Sequence, residues 1–216
     1  MLLLRALSHL WPIRLESGVG PYGPWELAWQ NGRLVVNTPH ANHSGDSLLR
    51  VWRYCSLEPE VKALRPRSIL ILGFGAGSAA TVLRKERRLS CPIVGVDGSA
   101  QMLGLARTRF QVDDLAPLEL HLSDAFAFAA TCTSQHDLVL VDLFHDLDMA
   151  PGVEDPAFLA DLRRCTAPGG LLCFNTIAHD AGSTVRSERV LHGLRQVFGT
   201  VEERRYQGIN RVFMAR

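Results

Sequence analysis

From residue 67 onward, short apolar runs alternate with longer stretches in which apolar residues recur at helical spacing. Continuous apolar runs are typical of strands buried on both faces of a sheet, and amphipathic stretches are typical of helices. The predicted strands are Ser68–Leu72, Ile93–Asp97, Leu118–Leu122, Leu138–Asp142 and Leu171–Asn175. The predicted helices are 78–88, 99–109, 125–130, 155–165 and 185–198. This rhythm predicts an α/β fold with a parallel, doubly wound, Rossmann-like sheet.

The C-terminal end departs from this rhythm. Two strand-like runs, Val201–Tyr206 and Ile209–Met214, are separated only by Gln207-Gly208. Strands that are joined so tightly must be antiparallel. We therefore expect five parallel strands to be closed by an antiparallel hairpin.

The N-terminal part has a different pattern. The dipeptide Asn31-Gly32 separates two strand-like runs and predicts a β-hairpin over residues 26–37. A helix follows, and its apolar face is predicted to consist of Leu48, Val51, Trp52 and Cys55. We therefore divide the chain into a small N-terminal β-hairpin and helix region, 1–64, and a Rossmann-like domain, 65–216.

Composition and charge exclude several functional classes. The 216 residues carry 23 basic and 22 acidic side chains, so no strong field attracts nucleic acid or an anionic membrane. Five scattered cysteines without a CxxC pair form neither a disulfide framework nor a zinc site, and they indicate a reducing compartment. The first apolar run is interrupted at Arg5, and no segment approaches the length of a membrane span. We expect a cytoplasmic protein with no nucleic-acid or membrane partner.

A glycine-rich segment follows the first predicted strand and opens a helix. Gly73, Gly75 and Gly77 allow close approach of the backbone to a ligand, and the helix start favours an anionic group. A tight turn alone has the same pattern. The dinucleotide fingerprint places its third glycine one residue later, where this chain has Ser78. The spacing therefore favours a carboxylate-bearing ligand, S-adenosylmethionine (SAM), over a pyrophosphate.

Three acidic residues lie at or just after the ends of the next strands. Asp97 lies 24 residues after Gly73, where a carboxylate accepts hydrogen bonds from both ribose hydroxyls, although Asp97 or Ser99 also suits a helix cap. Asp124, in Ser123-Asp124-Ala125, suits a helix cap, and Asp142 ends the fourth strand. Because ligands of doubly wound sheets bind at the carboxyl ends of the strands, the four motifs converge on one crevice.

The core motifs and the antiparallel ending resemble class I SAM-dependent methyltransferases, and with the N-terminal hairpin most of the chain resembles the spermidine synthase-like superfamily. The resemblance implies SAM or decarboxylated SAM as the cofactor, and it implies that Asp124 and the Ala125 N–H contact adenine. It also implies a homodimer. The predicted cofactor-binding residues are Gly73, Gly75, Gly77, Asp97, Gly98, Ser99, Asp124 and Ala125.

The resemblance weakens at the polyamine site. Aminopropyltransferases of this superfamily carry an Asp-Ser-Ser/Thr-Asp-Pro string after the fourth strand; here Asp142 matches the first Asp, and His145 replaces the second. The family's Gln and Tyr-His-Glu signatures are replaced by Val35 and by residues 44–46. A polyamine site needs several carboxylates for its cations, so ordinary polyamine synthesis is not expected.

We expect a SAM-dependent methyltransferase that acts on a small-molecule acceptor, with Asp142 and His145 as candidate catalytic residues. For His145, a solvated loop position is the alternative. Two other functions stay open: transfer of the aminopropyl or aminocarboxypropyl arm, and non-catalytic binding of SAM or another nucleotide. No metal is expected. The spacing of His40, His43 and Asp46 is compatible with a metal site, but these residues do not supply a third firm ligand.

Overall fold

The computed structural model describes residues 2–40, 42–44 and 46–216, and within 42–47 it describes only the backbone. The strands are β1 (Ile13–Gly20), β2 (Gly23–Gln30), β3 (Arg33–Asn37), β4 (Asn42–Ser44), β5 (Ile69–Leu72), β6 (Ile93–Asp97), β7 (Leu118–Leu122), β8 (His136–Val141), β9 (Phe144–His145), β10 (Asp148–Met149), β11 (Thr166–Ile177), β12 (Val201–Tyr206) and β13 (Asn210–Ala215). The helices are α1 (Leu2–Leu7), α2 (Asp46–Leu57), α3 (Pro59–Ala63), α4 (Ser78–Thr81), α5 (Ala100–Phe110), α6 (Ala125–Thr131), α7 (Pro156–Cys165) and α8 (Ala181–Val197).

The main sheet has seven strands in the order β12-β13-β11-β8-β5-β6-β7. The five strands from β11 to β7 are parallel, and β13 pairs antiparallel with both β11 and β12. This arrangement confirms the predicted doubly wound sheet with an antiparallel C-terminal hairpin. The central strand β5 is buried along its whole length, which is why its sequence is continuously apolar.

Helices cover both faces of this sheet. Ile69 and Ile71 point to the face that carries α2, α4 and α5, whereas Leu70 and Leu72 point to the face that carries α7 and α8. The predicted apolar face of α2 is confirmed, because Val51, Trp52 and Cys55 are at most 3% exposed and belong to the first of these cores. The N-terminal region is therefore packed against the sheet.

The N-terminal strands form a separate antiparallel sheet in the order β1-β2-β3-β4. The predicted hairpin is confirmed: Gln30 pairs with Arg33, and the positive φ angles of Asn31 (51°) and Gly32 (72°) make a two-residue turn of the type that Asn-Gly favours. A small core of Leu27 and Val36 with Ala76 and Leu105 joins this sheet to the glycine-rich segment and to α5. The sheet is thereby placed beside the predicted crevice.

Two predicted helices differ in detail. The helix predicted over 78–88 consists of α4 followed by a π-helical turn, Val82–Glu86, in which the Arg87 N–H bonds to the Val82 carbonyl. Helix α8 begins at Ala181, before its apolar periodicity begins, because Asp180 and Ser183 form a capping box. In the described part of the chain, no helix has the length and apolarity needed to cross a membrane.

Candidate active site

The four predicted motifs lie around one cavity. It has a volume of about 360 Å³, and its floor is formed by the segments that follow β5, β6, β7 and β8. The N-terminal sheet and α2 cover it from the other side, through residues 20–25, Thr38, Val51 and Trp52. The crevice is therefore built jointly by the two regions of the chain, at the carboxyl edge of the sheet.

The glycine-rich segment passes extremely close to the end of β8. Gly73 has a φ of +84°, and a Cβ atom at this position would lie 2.1 Å from the Asp142 carbonyl oxygen. The Gly73 and Phe74 N–H groups both bond to the Val96 carbonyl, which fixes the turn. Gly77, at a φ of +88°, precedes α4 without a side-chain cap. Positions 73 and 77 therefore require glycine. Gly73 and Gly75 line the cavity together with Phe74, whereas Gly77 is not among the lining residues.

Asp97 links the glycine segment to the next helix. One carboxylate oxygen accepts from the Gly75 N–H at 2.7 Å, and the other accepts from the Ser99 N–H at 2.8 Å. Asp97 is 8% exposed, and burial raises the pKa of its carboxyl although both N–H groups favour the ionised form. Each oxygen keeps a further lone pair for a hydroxyl donor. Asp97 therefore shapes the glycine loop and keeps the capacity to bind a ribose.

Both predicted helix caps are confirmed. The Ser99 hydroxyl accepts from the Met102 N–H at 3.2 Å, and the Asp124 carboxylate accepts from the Ala127 N–H at 2.9 Å. Asp124 and Ala125 line the same crevice as Asp97 and Gly98. Capping uses one Asp124 oxygen and leaves the other for a ligand.

Asp142 is held by two side-chain donors. The Trp52 indole N–H donates to one carboxylate oxygen and the Asn175 amide to the other, each at 2.9 Å. The Asn210 amide donates to the Asn175 carbonyl oxygen at 3.2 Å, which orients Asn175 with its amide nitrogen toward Asp142. Burial raises the pKa of Asp142 to about 6, against the opposing effect of its two donors. Such a carboxyl is ionised at neutral pH and still able to take up a proton.

His145 lies at the mouth of the crevice against Tyr22. The two rings are stacked, with centroids 4.6 Å apart and planes inclined by 19°. Burial lowers the pKa of His145, while Asp148 acts in the opposite direction. The ring is therefore a packed element of the crevice wall and differs from a freely solvated loop residue.

The loop that follows β3 is joined to the loop that follows β8. Asp146 accepts hydrogen bonds from the Thr38 hydroxyl at 2.5 Å and the His40 N–H at 3.0 Å, and it contacts the His40 Nδ1 at 2.6 Å. Burial raises the pKa of Asp146, but the hydrogen bonds from Thr38 and His40 together outweigh it, so the pKa lies below its usual value. The side chains of His43 and Asp46 lie outside the described residues. Within the described residues, no cluster of His, Cys, Asp and Glu could hold a metal ion.

Sequence reasoning missed three residues of this site. Trp52 was predicted only as a core residue, Asn175 only as a strand end, and Tyr22 was assigned no role. Tyr22 stands in the segment Pro21-Tyr22-Gly23-Pro24. A large aromatic residue in a turn rich in glycine and proline is the local sequence signal that could have indicated its role. Their roles depend on contacts with residues more than thirty positions away.

Several known proteins are similar to this chain. Residues 69–170 match the family described as "Methyltransferase domain". The polyamine aminopropyltransferase of Nitrosomonas europaea is 31% identical over 142 residues, which cover 63% of this chain and 43% of that protein. The matched segments span less than half the length of the curated relatives.

Solved structures extend the likeness to most of the fold. Spermidine synthase from Thermotoga maritima matches with a TM-score of 0.76 at 12% identity, over 94% of this chain and 72% of that one. Human methyltransferase-like protein 13, in complex with SAH, matches with a TM-score of 0.63 at 19% identity, over 80% of this chain and 82% of that one. The chain thus has the spermidine synthase-like form of the class I SAM-dependent methyltransferase fold, as predicted.

Proposed function

We propose that this protein is a transferase that uses SAM or decarboxylated SAM, and specifically a SAM-dependent methyltransferase with a small, weakly polar acceptor. The observation that carries the proposal is the setting of Asp142. This carboxyl, with a pKa of about 6, faces the cavity between aromatic and aliphatic side chains. The relatives and the methyltransferase domain support the transferase class.

The cofactor end of the crevice suits a nucleoside with a charged tail. Asp97 offers two oxygens with unused lone pairs, and Gly73 and Gly75 present backbone without side chains to the cavity. When bound, SAM supplies an electrophilic methyl group on a sulfonium. The chain's own part is to hold that group in line with the acceptor, which provides much of the rate of methyl transfer.

The acceptor end is predominantly apolar. Among the described side chains that line the cavity, four carboxylates occur: Asp97 and Asp124 at the cofactor end, Asp146 bound to Thr38 and His40, and Asp142. The same lining includes the apolar side chains of Val36, Leu48, Val51, Phe144, Ile177 and Ile209, and its neutral polar groups include Asn175, Gln207 and Asn210. A buried polyamine cation needs paired carboxylates, whereas a neutral acceptor fits a wall of apolar and neutral polar groups with one base.

Asp142 would then act as the general base. As a lone pair of the acceptor attacks the methyl carbon and the carbon–sulfur bond breaks, the acceptor O–H or N–H proton passes to the Asp142 carboxylate. The products are the methylated acceptor and S-adenosylhomocysteine, with Asp142 protonated until it releases the proton to water. His145, at the cavity mouth, is the second candidate for proton transfer.

Aminopropyl transfer is the second candidate function. It is favoured by the 31% identity to a polyamine aminopropyltransferase and by the likeness to spermidine synthase over 94% of the chain. In that reaction the nucleophile attacks the carbon of the three-carbon arm, and the nucleoside product is methylthioadenosine. A homodimer and a cytoplasmic location stay predictions, as does the division at residue 64.

Calorimetry and product analysis test the proposal together. Calorimetric titrations with SAM and with decarboxylated SAM compare the wild type with Asp97→Ala and with Asp113→Ala, a control at an exposed position. Each protein is then incubated with the donor and a panel of phenol, thiol and amine acceptors. We expect SAM to bind more tightly, Asp97→Ala alone to lose binding, and S-adenosylhomocysteine to accumulate. Tighter binding of decarboxylated SAM with release of methylthioadenosine would establish aminopropyl transfer instead. Binding without either product would identify a non-catalytic module.

A further inference from the structure

Tyr22 lies in the tight turn that connects β1 to β2. Gly20 pairs with Gly23, so the turn consists of Pro21 and Tyr22 alone. Proline at the first turn position fixes its own φ angle, and the paired strands restrain the other end. The backbone of Tyr22 is therefore held in place, and its side chain extends from a rigid support.

This side chain reaches across the crevice to the end of β6. A Cβ atom built on Gly98 would lie 1.8 Å from the Tyr22 hydroxyl oxygen and 2.9 Å from the ring carbon that bears it. Only glycine at position 98 allows the phenol to come so close. The requirement for glycine at position 98 therefore comes from the tertiary contact with Tyr22.

Two predicted cofactor-binding carboxylates, Asp97 and Asp124, line the same cavity as Tyr22. Burial, followed by the charges of Asp97 and Asp124, raises the pKa of the phenol, so it stays protonated and remains a donor. On its other side the ring stacks on His145, which follows β8. Tyr22 therefore connects the strand end predicted to bind ribose with the strand end predicted to bind the acceptor.

We propose that Tyr22 is a cofactor-binding residue, which covers the nucleoside and donates its hydroxyl hydrogen to it, and that His145 is the positioning residue that holds the Tyr22 ring. This inference rests on the proposed function and adds to it. The cofactor site then extends beyond the methyltransferase domain at residues 69–170, because its cover comes from the N-terminal sheet.

Calorimetric titration with SAM and with decarboxylated SAM tests the proposal in wild type, Tyr22→Phe, Tyr22→Ala and Tyr54→Ala. Tyr54 is a matched control, since it is 44% exposed against 38% for Tyr22 and also stacks on a neighbouring ring. We expect Tyr22→Phe to weaken binding about threefold, Tyr22→Ala about tenfold or more, and Tyr54→Ala not at all. Thermal unfolding confirms that each variant is folded.

Unchanged or tighter binding in Tyr22→Ala would overturn the proposal, because the ring would then be a bystander or an obstruction in the nucleoside site. If wild type binds neither compound, the proposed function fails, and this inference fails with it; the two failures are distinguished by the wild-type titration alone.

The His145 variants separate positioning from proton transfer. His145→Phe keeps an aromatic ring for stacking and removes the titratable group, whereas His145→Ala removes both. We expect His145→Phe to retain wild-type affinity and His145→Ala to show the weaker binding of Tyr22→Ala. Wild-type affinity in His145→Ala would contradict the positioning role, whereas normal affinity with a lowered kcat in His145→Phe would support positioning by the ring and add a proton-transfer role for the imidazole.

Discussion

At the scale of single residues, the chemistry of the site depends on how buried carboxyl groups are partnered. Asp142 and Asp97 both have a pKa raised by burial, yet their donors differ. Asp142 receives side-chain donors from an N-terminal helix and from β11, while Asp97 receives backbone N–H groups from its own neighbourhood. In both cases the donors favour the ionised form, while burial opposes it and raises the pKa.

The pH dependence of turnover tests the role of Asp142. The base acts in its ionised form, and this fraction decreases as the pH falls below about 6, so kcat/KM should decline on the acidic side with that midpoint. Trp52→Phe removes a donor that stabilises the carboxylate, and the midpoint should move to higher pH. Trp29→Phe is the control, since the Trp29 indole N–H has no hydrogen-bond partner among the described residues. A midpoint that is identical in all three proteins would rule out Asp142 as the titrating base.

Asp97→Asn should impair both tasks of this side chain, the binding of ribose and the support of the glycine loop. The amide has one acceptor oxygen where the carboxylate has two, so either the Gly75 or the Ser99 N–H loses its partner. We expect SAM affinity to fall about tenfold or more and the free energy of unfolding to fall by about 1–2 kcal/mol. Calorimetry and urea unfolding measure these effects against Asp113→Asn. Unchanged affinity in Asp97→Asn would argue against a ribose contact.

At the scale of elements, the turn between β5 and α4 determines whether the crevice exists. It must bring the chain back within van der Waals distance of the Asp142 backbone, and a positive φ angle at Gly73 achieves this. The turn also places the Gly75 N–H on Asp97. The strand ends and the glycine-rich segment therefore form one structural unit. It is held together by hydrogen bonds from the segment's N–H groups to the Val96 carbonyl and to the Asp97 carboxylate.

Gly73→Ala should damage this unit. The added Cβ collides with backbone at 2.1 Å and forces an alanine into the left-handed region, at a cost of about 2–4 kcal/mol. Thermal unfolding should show a Tm lower by about 5–10 °C. Gly104→Ala is the matched control, because Gly104 lies in α5 with nothing within 4 Å of its Cβ position, and we expect a gain of about 0.5–1 kcal/mol there. Equal stability of the two variants would refute the close approach.

At the scale of the whole molecule, the N-terminal region completes both the core and the site. Val51, Trp52 and Cys55 of α2 pack into the core beside β5 and β8, and Trp52 also reaches Asp142. The Arg204 guanidinium of β12 bonds to Glu58 and Glu60, which connects the C-terminal hairpin to the segment around α3. The proposed division at residue 64 therefore separates two parts that share a core.

Deleting residues 1–64 tests this dependence. The fragment 65–216 keeps all seven strands of the main sheet but exposes the surface that α2 covers. We expect it to be aggregated or less stable than the full chain by several kcal/mol, as measured by size-exclusion chromatography and urea unfolding. A monomeric fragment with the stability of the full chain would show that 65–216 is an autonomous domain.

The order of the main-sheet strands and their helices, the sheet type and the N-terminal hairpin were predictable from the sequence alone, because burial on both faces favours continuous apolar strands and Asn-Gly favours a tight turn. The glycine segment and the acids at the strand ends were likewise readable, since the carboxyl ends of parallel strands meet at one edge. The apolar period alone did not predict the π-helical turn after α4, nor the start of α8, which a side-chain capping box determines.

Only the tertiary structure decided what surrounds those acids. The Trp52 and Asn175 donors lie 90 and 33 positions from Asp142, and Tyr22 meets Gly98 and His145 from another sheet. No periodicity encodes such encounters, because they follow from how separate elements pack together. A sequence pattern therefore locates the carboxyl groups, while the pKa of each and the ligand it can accept depend on the neighbours that folding supplies.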